Sequence, residues 1–388
     1  MNRRFRPIAL IILALFTVPA LLKAQQLPAG GSQQQNVVKN AFLPAVSYNS
    51  DMGLIGGGIY NRFDYRGNVK PFRSYTQATV LGSTKGFFQL RLSYDRTHSF
   101  GTDIRSHIEA NGSRIFENNY FGVGNGSEFI RDQWDNQYYF YESVSAGIDY
   151  KARKPLYERP ARGRLDFLML AGSSYHLPYI KQQQSVMNLN PPRGISGGWT
   201  NYIGTGLLWE NRDSEFNPTT GNYLELDLKY APKFLLSDYA LGIAKFEYRQ
   251  YFHFHLIRDV VVANRLAMRH AGGDVPYWEL SYLGDDMQMR GYPYFRYQGN
   301  DSIVHSLELR TWLFGFPKYG VKFGGQLFMD TGRVFTAENN FSDLFRGYKQ
   351  TFGFGGAMSL FSPDFILRGD IGFSNEMHRI YVGVGYIF

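Results

Sequence analysis

Along most of the chain apolar and polar residues alternate one for one, the period of a strand whose successive side chains face opposite ways. Between 222 and 230, Leu224, Leu226, Leu228 and Tyr230 share one face, and Glu225, Asp227 and Lys229 the other. From 243 to 255, Ala244, Phe246, Tyr248, Phe252 and Phe254 oppose Lys245, Glu247, Arg249, His253 and His255. Toward the end, Phe365, Leu367, Ile371 and Phe373 oppose Arg368 and Asp370. The pattern predicts sixteen strands, near 41–48, 52–62, 73–84, 86–97, 104–116, 135–151, 163–177, 199–212, 221–234, 239–254, 258–270, 303–315, 320–335, 351–362, 364–375 and 378–388.

Alternation alone does not name the solvent, because a soluble sandwich buries its apolar face with the same period. Strands of about 10 to 15 residues, however, suit a tilted membrane crossing and exceed the usual globular strand. Tyr, Phe and Trp crowd the strand ends, as interfacial girdles require. The last residues, Ile380, Val382, Val384, Tyr386 and Phe388, keep strict period two and end on an aromatic, which resembles the C-terminal signal of bacterial outer-membrane barrels. The expected fold is all-β, a 16-stranded antiparallel transmembrane β-barrel of the bacterial outer membrane. With both termini periplasmic, the longest gaps (117–134, 178–198, 271–302 and 336–350) all fall outside.

Composition refines this. The only long apolar run, Ile8 to Leu22, follows Arg3, Arg4 and Arg6 and precedes Leu22-Lys23-Ala24, so it reads as a secretory signal cleaved before Gln25, with an uncleaved anchor as the alternative. One such run excludes a bundle of membrane helices. Losing Arg3, Arg4, Arg6 and Lys23 takes the net charge from +8 to +4, which argues against a nucleic-acid partner. Residues 25–38 are too few and too polar for a core, so the expected organisation is signal 1–24, a short periplasmic tail 25–38 and a barrel 39–388. The absence of cysteine removes disulfides, thiolate zinc sites and cysteine nucleophiles. No His-Glu-x-x-His or Gly-rich phosphate loop occurs, so neither an enzyme nor a bound cofactor is expected.

Four segments then bring a family into view. The longest loop, LGDDMQMRGYPYFRYQGND, carries Arg290-Gly291-Tyr292, which resembles the motif in the sixth extracellular loop of the BamA/TamA superfamily of bacterial surface antigen barrels. Asp330, Gly332, Val334 and Phe335 in GQLFMDTGRVF resemble that superfamily's strand motif. Arg212, Asp213, Pro218, Thr219 and Gly221 in LLWENRDSEFNPTTGNYLEL resemble its periplasmic turn, and FLPAVSYNSDMGLIGGGIY its short first hairpin. The resemblance spans essentially the whole mature chain.

An arginine on a loop folded into a barrel needs a carboxylate, since its planar fork forms bidentate charge-assisted bonds. Leu307, Leu309 and Leu313 turn to lipid, so Glu308 turns inward; Val321, Phe323, Leu327 and Met329 do likewise for Asp330. Arg290 is therefore expected to pin its loop to Asp330, with Glu308 nearby, as the family resemblance also implies. His253 and His255 read as polar lumen lining rather than metal ligands, and Asp285 and Asp286 as a solvated loop pair rather than a calcium site. The resemblance implies assembly, insertion or translocation of proteins or lipids at the outer membrane. Superfamily members receive substrate through periplasmic POTRA domains of about 75 residues, which the short tail cannot hold, so a periplasmic or lipoprotein partner is expected, alongside outer-membrane lipid and lipopolysaccharide. A short first strand pairing weakly with the last, where Gly383 and Gly385 lie, would open laterally. The rival expectation is a passive pore or a structural subunit of a surface complex.

Overall fold

The structure is a computed structural model that describes residues 37–67, 69, 71–159, 162–360 and 365–388. The expected signal and nearly all of the expected tail lie outside these residues. Up to the longest loop the strands are β1 Val38–Asn49, β2 Gly53–Asp64, β3 Ser74–Ser83, β4 Phe87–Arg96, β5 Arg105–Asn119, β6 Phe140–Arg159, β7 Gly163–Tyr179, β8 Gly198–Glu210, β9 Gly221–Ala231, β10 Leu241–His255 and β11 Asp259–Gly273. Within that loop β12 Ser281–Leu283 pairs with β13 Tyr297–Gly299. The chain continues through β14 Asp301–Phe316, β15 Val321–Phe335, β16 Lys349–Leu360, β17 Ile366–Phe373 and β18 His378–Val384.

Among the described residues sixteen strands close an antiparallel barrel, each beside its neighbour in sequence, with β14 following β11 and β18 returning to β1. An even number of antiparallel strands brings Val38 and Val384 to one end. Loops 120–139, 180–197, 274–300 and 336–348 gather at the opposite end. The solvent is now identifiable from burial: Leu327 is 59% exposed on the outside of the wall while Glu308 is 0% exposed inside it, the inverse of a water-soluble domain. No described helix is long and apolar enough to cross a membrane.

Three expected strands differ. The sixth begins at Phe140 rather than 135, because 131–135 form a helical turn, and it runs on to Arg159 through Pro155, where a bulge absorbs the proline. The first runs from Val38 to Asn49 and is not short. The last ends at Val384 instead of 388. Gly385 adopts φ +81°, which breaks the period-two run and carries Tyr386 and Phe388 off the outward face that Val384 still occupies.

Candidate functional site

Loop 274–300 enters the barrel from the end opposite the termini and carries its arginine to the lumen wall. Arg290 Nε and Nη2 donate to the two carboxylate oxygens of Asp330, each at 2.9 Å, and its own backbone N–H donates to Asp330 at 3.1 Å. Nη1 donates to Glu308 at 2.5 Å and stands 3.8 Å from Asp370. The guanidinium carbon lies 3.4 Å from the centre of the Phe328 ring, so the fork is stacked as well as bonded. Arg310 donates to Glu308 at 2.8 Å, and Arg368 reaches Asp370 at 2.9 Å. Three guanidinium groups thus balance three carboxylates in a cluster sealed from solvent.

The local chain is shaped for this approach. Gly291, at φ +109°, and Gly372 on β17 let two backbones touch: a Cβ on Gly372 would lie 2.7 Å from the Arg290 carbonyl carbon. Gly332 makes room for Met289 and Leu283, and Gly353 for the ring of Phe328. Tyr292 hydroxyl donates to Asn375 at 2.6 Å. Asp285 is buried rather than solvated: its carboxylate accepts the backbone N–H groups of Met287, at 2.7 Å, and of Gln288, holding the loop's own turn. Among the described residues no cluster of three or more metal-ligating side chains occurs. His253 and His255 sit at the terminal-side mouth, both against Asp259.

The same loop holds a second arginine that the sequence reading passed over. Arg296 is 2% exposed by side chain and grips Glu376 with Nε and Nη2 at 2.6 and 2.7 Å, while bonding Ser127 at 2.9 Å. Nearby, Tyr294 N–H donates to Asp51 at 3.2 Å, and Asp51 also takes Arg379. Asp51 belongs to the turn after β1 and Glu376 to the turn before β18, so the loop grips both flanks of the barrel's closing seam.

That seam is incomplete. β1 pairs with β2 from Val38–Asp64 to Asn49–Gly53, yet among the described residues it meets β18 only at Tyr48–Val382 and Asn49–Tyr381, continued by Ser50 N–H donating to Ile380 at 3.1 Å. Since Ser50 aims its backbone at β18, the even-numbered residues Phe42, Pro44 and Val46 aim theirs at the same open side. Pro44 has no N–H to leave unpaired there. Beyond Gly385 the chain turns to Arg310, whose Nη2 donates to the Phe388 carbonyl at 2.7 Å and whose guanidinium stacks 4.1 Å from the Tyr386 ring.

At the terminal-side mouth, Arg212 forks onto Glu210 at 2.7 and 2.6 Å and stacks on Tyr223. Asp213 accepts Thr219 N–H at 2.8 Å, Thr220 N–H at 3.2 Å and the Thr219 hydroxyl at 2.5 Å. Burial would raise the Asp213 carboxyl, but these donors outweigh it and hold its pKa below the ordinary value. Pro218 is buried, and Gly221, at φ +96°, closes the turn against the Asn211 carbonyl.

A closed barrel of lipid-facing strands with a loop pinned in its lumen defines a class of transmembrane outer-membrane-type barrels. Residues 60–388 match the Omp85 superfamily domain, and the chain belongs to that superfamily. Among solved structures, the chain is similar to BamA from Haemophilus ducreyi lacking POTRA domains 1–3, at 14% identity and TM-score 0.61, covering 91% of this chain and 71% of that one. It is also similar to CdiB from Acinetobacter baumannii (12% identity, TM-score 0.55, 91% and 60% covered) and CdiB from Escherichia coli (10%, 0.56, 92% and 64%). The chain therefore spans less than two thirds of either CdiB structure. Sequence comparison with curated proteins finds no match. Barrels of this superfamily lie in outer membranes, serve protein assembly or secretion, and are typically not enzymes.

Proposed function

We propose that this barrel assists the assembly, insertion or translocation of polypeptides or lipids at the bacterial outer membrane, as part of a complex whose periplasmic or lipoprotein partner delivers the substrate. The half-open seam carries the reading. Backbone groups facing hydrocarbon without partners cost several kcal/mol each, and an unpaired strand edge is a ready template for another strand. An incoming segment that pairs with β1 at Phe42 and Val46 satisfies those groups. Loop 274–300 holds the far end of the seam shut through Asp51 and Glu376 while the near half works.

The chain has no cysteine, so Val46→Cys with Val384→Cys, two residues along the register from the Tyr48–Val382 pair, puts a reversible lock across the open half. Oxidation is expected to stop client insertion in proteoliposomes and reductant to restore it; a locked barrel that retains full activity refutes the reading. A passive pore would keep the same conductance in both states.

A further inference from the structure

We propose that the outer wall at the loop-side ends of β5, β6 and β7 binds the phosphorylated headgroup of an outer-leaflet glycolipid of the lipid A type. The inference uses the barrel's placement in an outer membrane and is independent of how the seam acts.

The face is fixed by register. Arg114 pairs with Phe88, which is exposed on the lipid side, and with Val144; Glu142 pairs with Tyr179, so all of these project outward. Below them on the same face, β5 shows Ile108, Ala110 and Gly112, and β6 shows Ile148 and Ala146. Arg114 and Glu142 are thus the first charges above the apolar band, the height at which lipid phosphates lie. Tyr179 and Trp199, each 46% exposed, mark the same level as an aromatic girdle.

The charges are arranged, not scattered. Glu142, only 3% exposed, takes Arg114 Nε at 2.6 Å on one oxygen and Lys181 Nζ at 2.5 Å on the other. The two cations are 51% and 63% exposed and both rest on Phe116, at 4.3 and 5.0 Å from its ring centre. Phe116 is itself seated on the β3–β4 turn, where a Cβ on Gly86 would come within 2.7 Å of it. One carboxylate therefore holds two cations at a fixed spacing with one positive charge left over. Beside them opens a groove of about 610 Å³ whose apolar wall is Val144, Pro178 and Ile180. Cations at the rim suit phosphate oxygens, and Val144 and Pro178, below them along β6 and β7, suit acyl chains.

The test is retention of lipid by the full purified chain in detergent, read by native mass spectrometry with added lipid A, phosphatidylglycerol or inorganic phosphate. Wild type is expected to hold lipid A, and Arg114→Ala/Lys181→Ala to weaken it about thirtyfold, the loss of two cation contacts of the size usual at an anionic lipid surface. Glu142→Gln adds a positive charge to the cluster and is expected to bind at least as tightly. Equal retention by wild type and the double variant overturns the proposal. So does loss of retention in Glu142→Gln, which would mark a structural effect, or equal retention of phosphatidylglycerol or phosphate through the same residues. Heat-modifiable mobility on unheated gels confirms that each variant is a folded barrel.

Discussion

Replacing Arg290 by alanine would leave Glu308, Asp330 and Asp370 facing only Arg310 and Arg368, with one uncompensated negative charge in a cluster whose carboxylates are 0 to 1% exposed. Removing one partner of a buried ion pair costs about 3–5 kcal/mol, enough to shift release of loop 274–300 from the wall roughly 10²- to 10^3.5-fold. Arg290→Lys keeps the charge but not the fork, so it cannot hold both oxygens of Asp330 and reach Glu308 in the same geometry; its effect should be intermediate. Limited proteolysis of the loop in detergent-folded barrel reads the release, and the urea midpoint of the heat-modifiable band reads global stability. A double-mutant cycle with Asp330→Asn should return a coupling of about 2 kcal/mol or more. An Arg290→Ala barrel with wild-type protease resistance and midpoint would refute the claim that this arginine pins the loop.

Three further outcomes follow from the geometry. Gly372→Ala places a methyl against the Arg290 backbone and should cost about 1–3 kcal/mol by overpacking, exposing the loop to protease while β17 stays paired. Glu376→Gln removes the anion that Arg296 Nε and Nη2 grip; it should lose about 2 kcal/mol of charge-assisted bonding and speed hydrogen exchange in 374–377 more than in β16. The Asp213 carboxyl, lowered in the folded turn, contributes order that is complete above its unfolded value near 3.9 and is lost as pH falls through the folded value. Protection against hydrogen exchange in 211–220, taken relative to the intrinsic rate at each pH, should therefore fall on acidification, and Asp213→Asn should flatten that dependence.

The wall was legible because lipid outside and charge inside force a period of two, and that parity also placed Glu308 and Asp330 on the inner face. The same parity assigns Asp370 inward, since it opposes Leu367 and Ile371, yet only the closed barrel brings it beside Arg290. Phe328, Arg296 with Glu376, and Asp51 with Arg379 join residues far apart in the chain and leave no local signal. β12 and β13, of three residues each, are too short to show a period. At the C-terminus the pattern was real but its meaning was not visible, since Tyr386 and Phe388 keep the spacing of Val384 while a single positive φ at Gly385 turns them away.

The central claim is that β1 and β18 are joined at one end and apart at the other. Pulsed electron spin resonance on doubly labelled barrel in native-like bilayers reads this directly, with one label pair at Tyr48 and Val382 and another at Val46 and Val384, the next outward-facing pair of the same register. The account predicts a narrow, short distribution for the first pair and a broad, longer one for the second. Narrow distributions for both, at spacings that continue the strand ladder, would mean a fully zipped seam and contradict it.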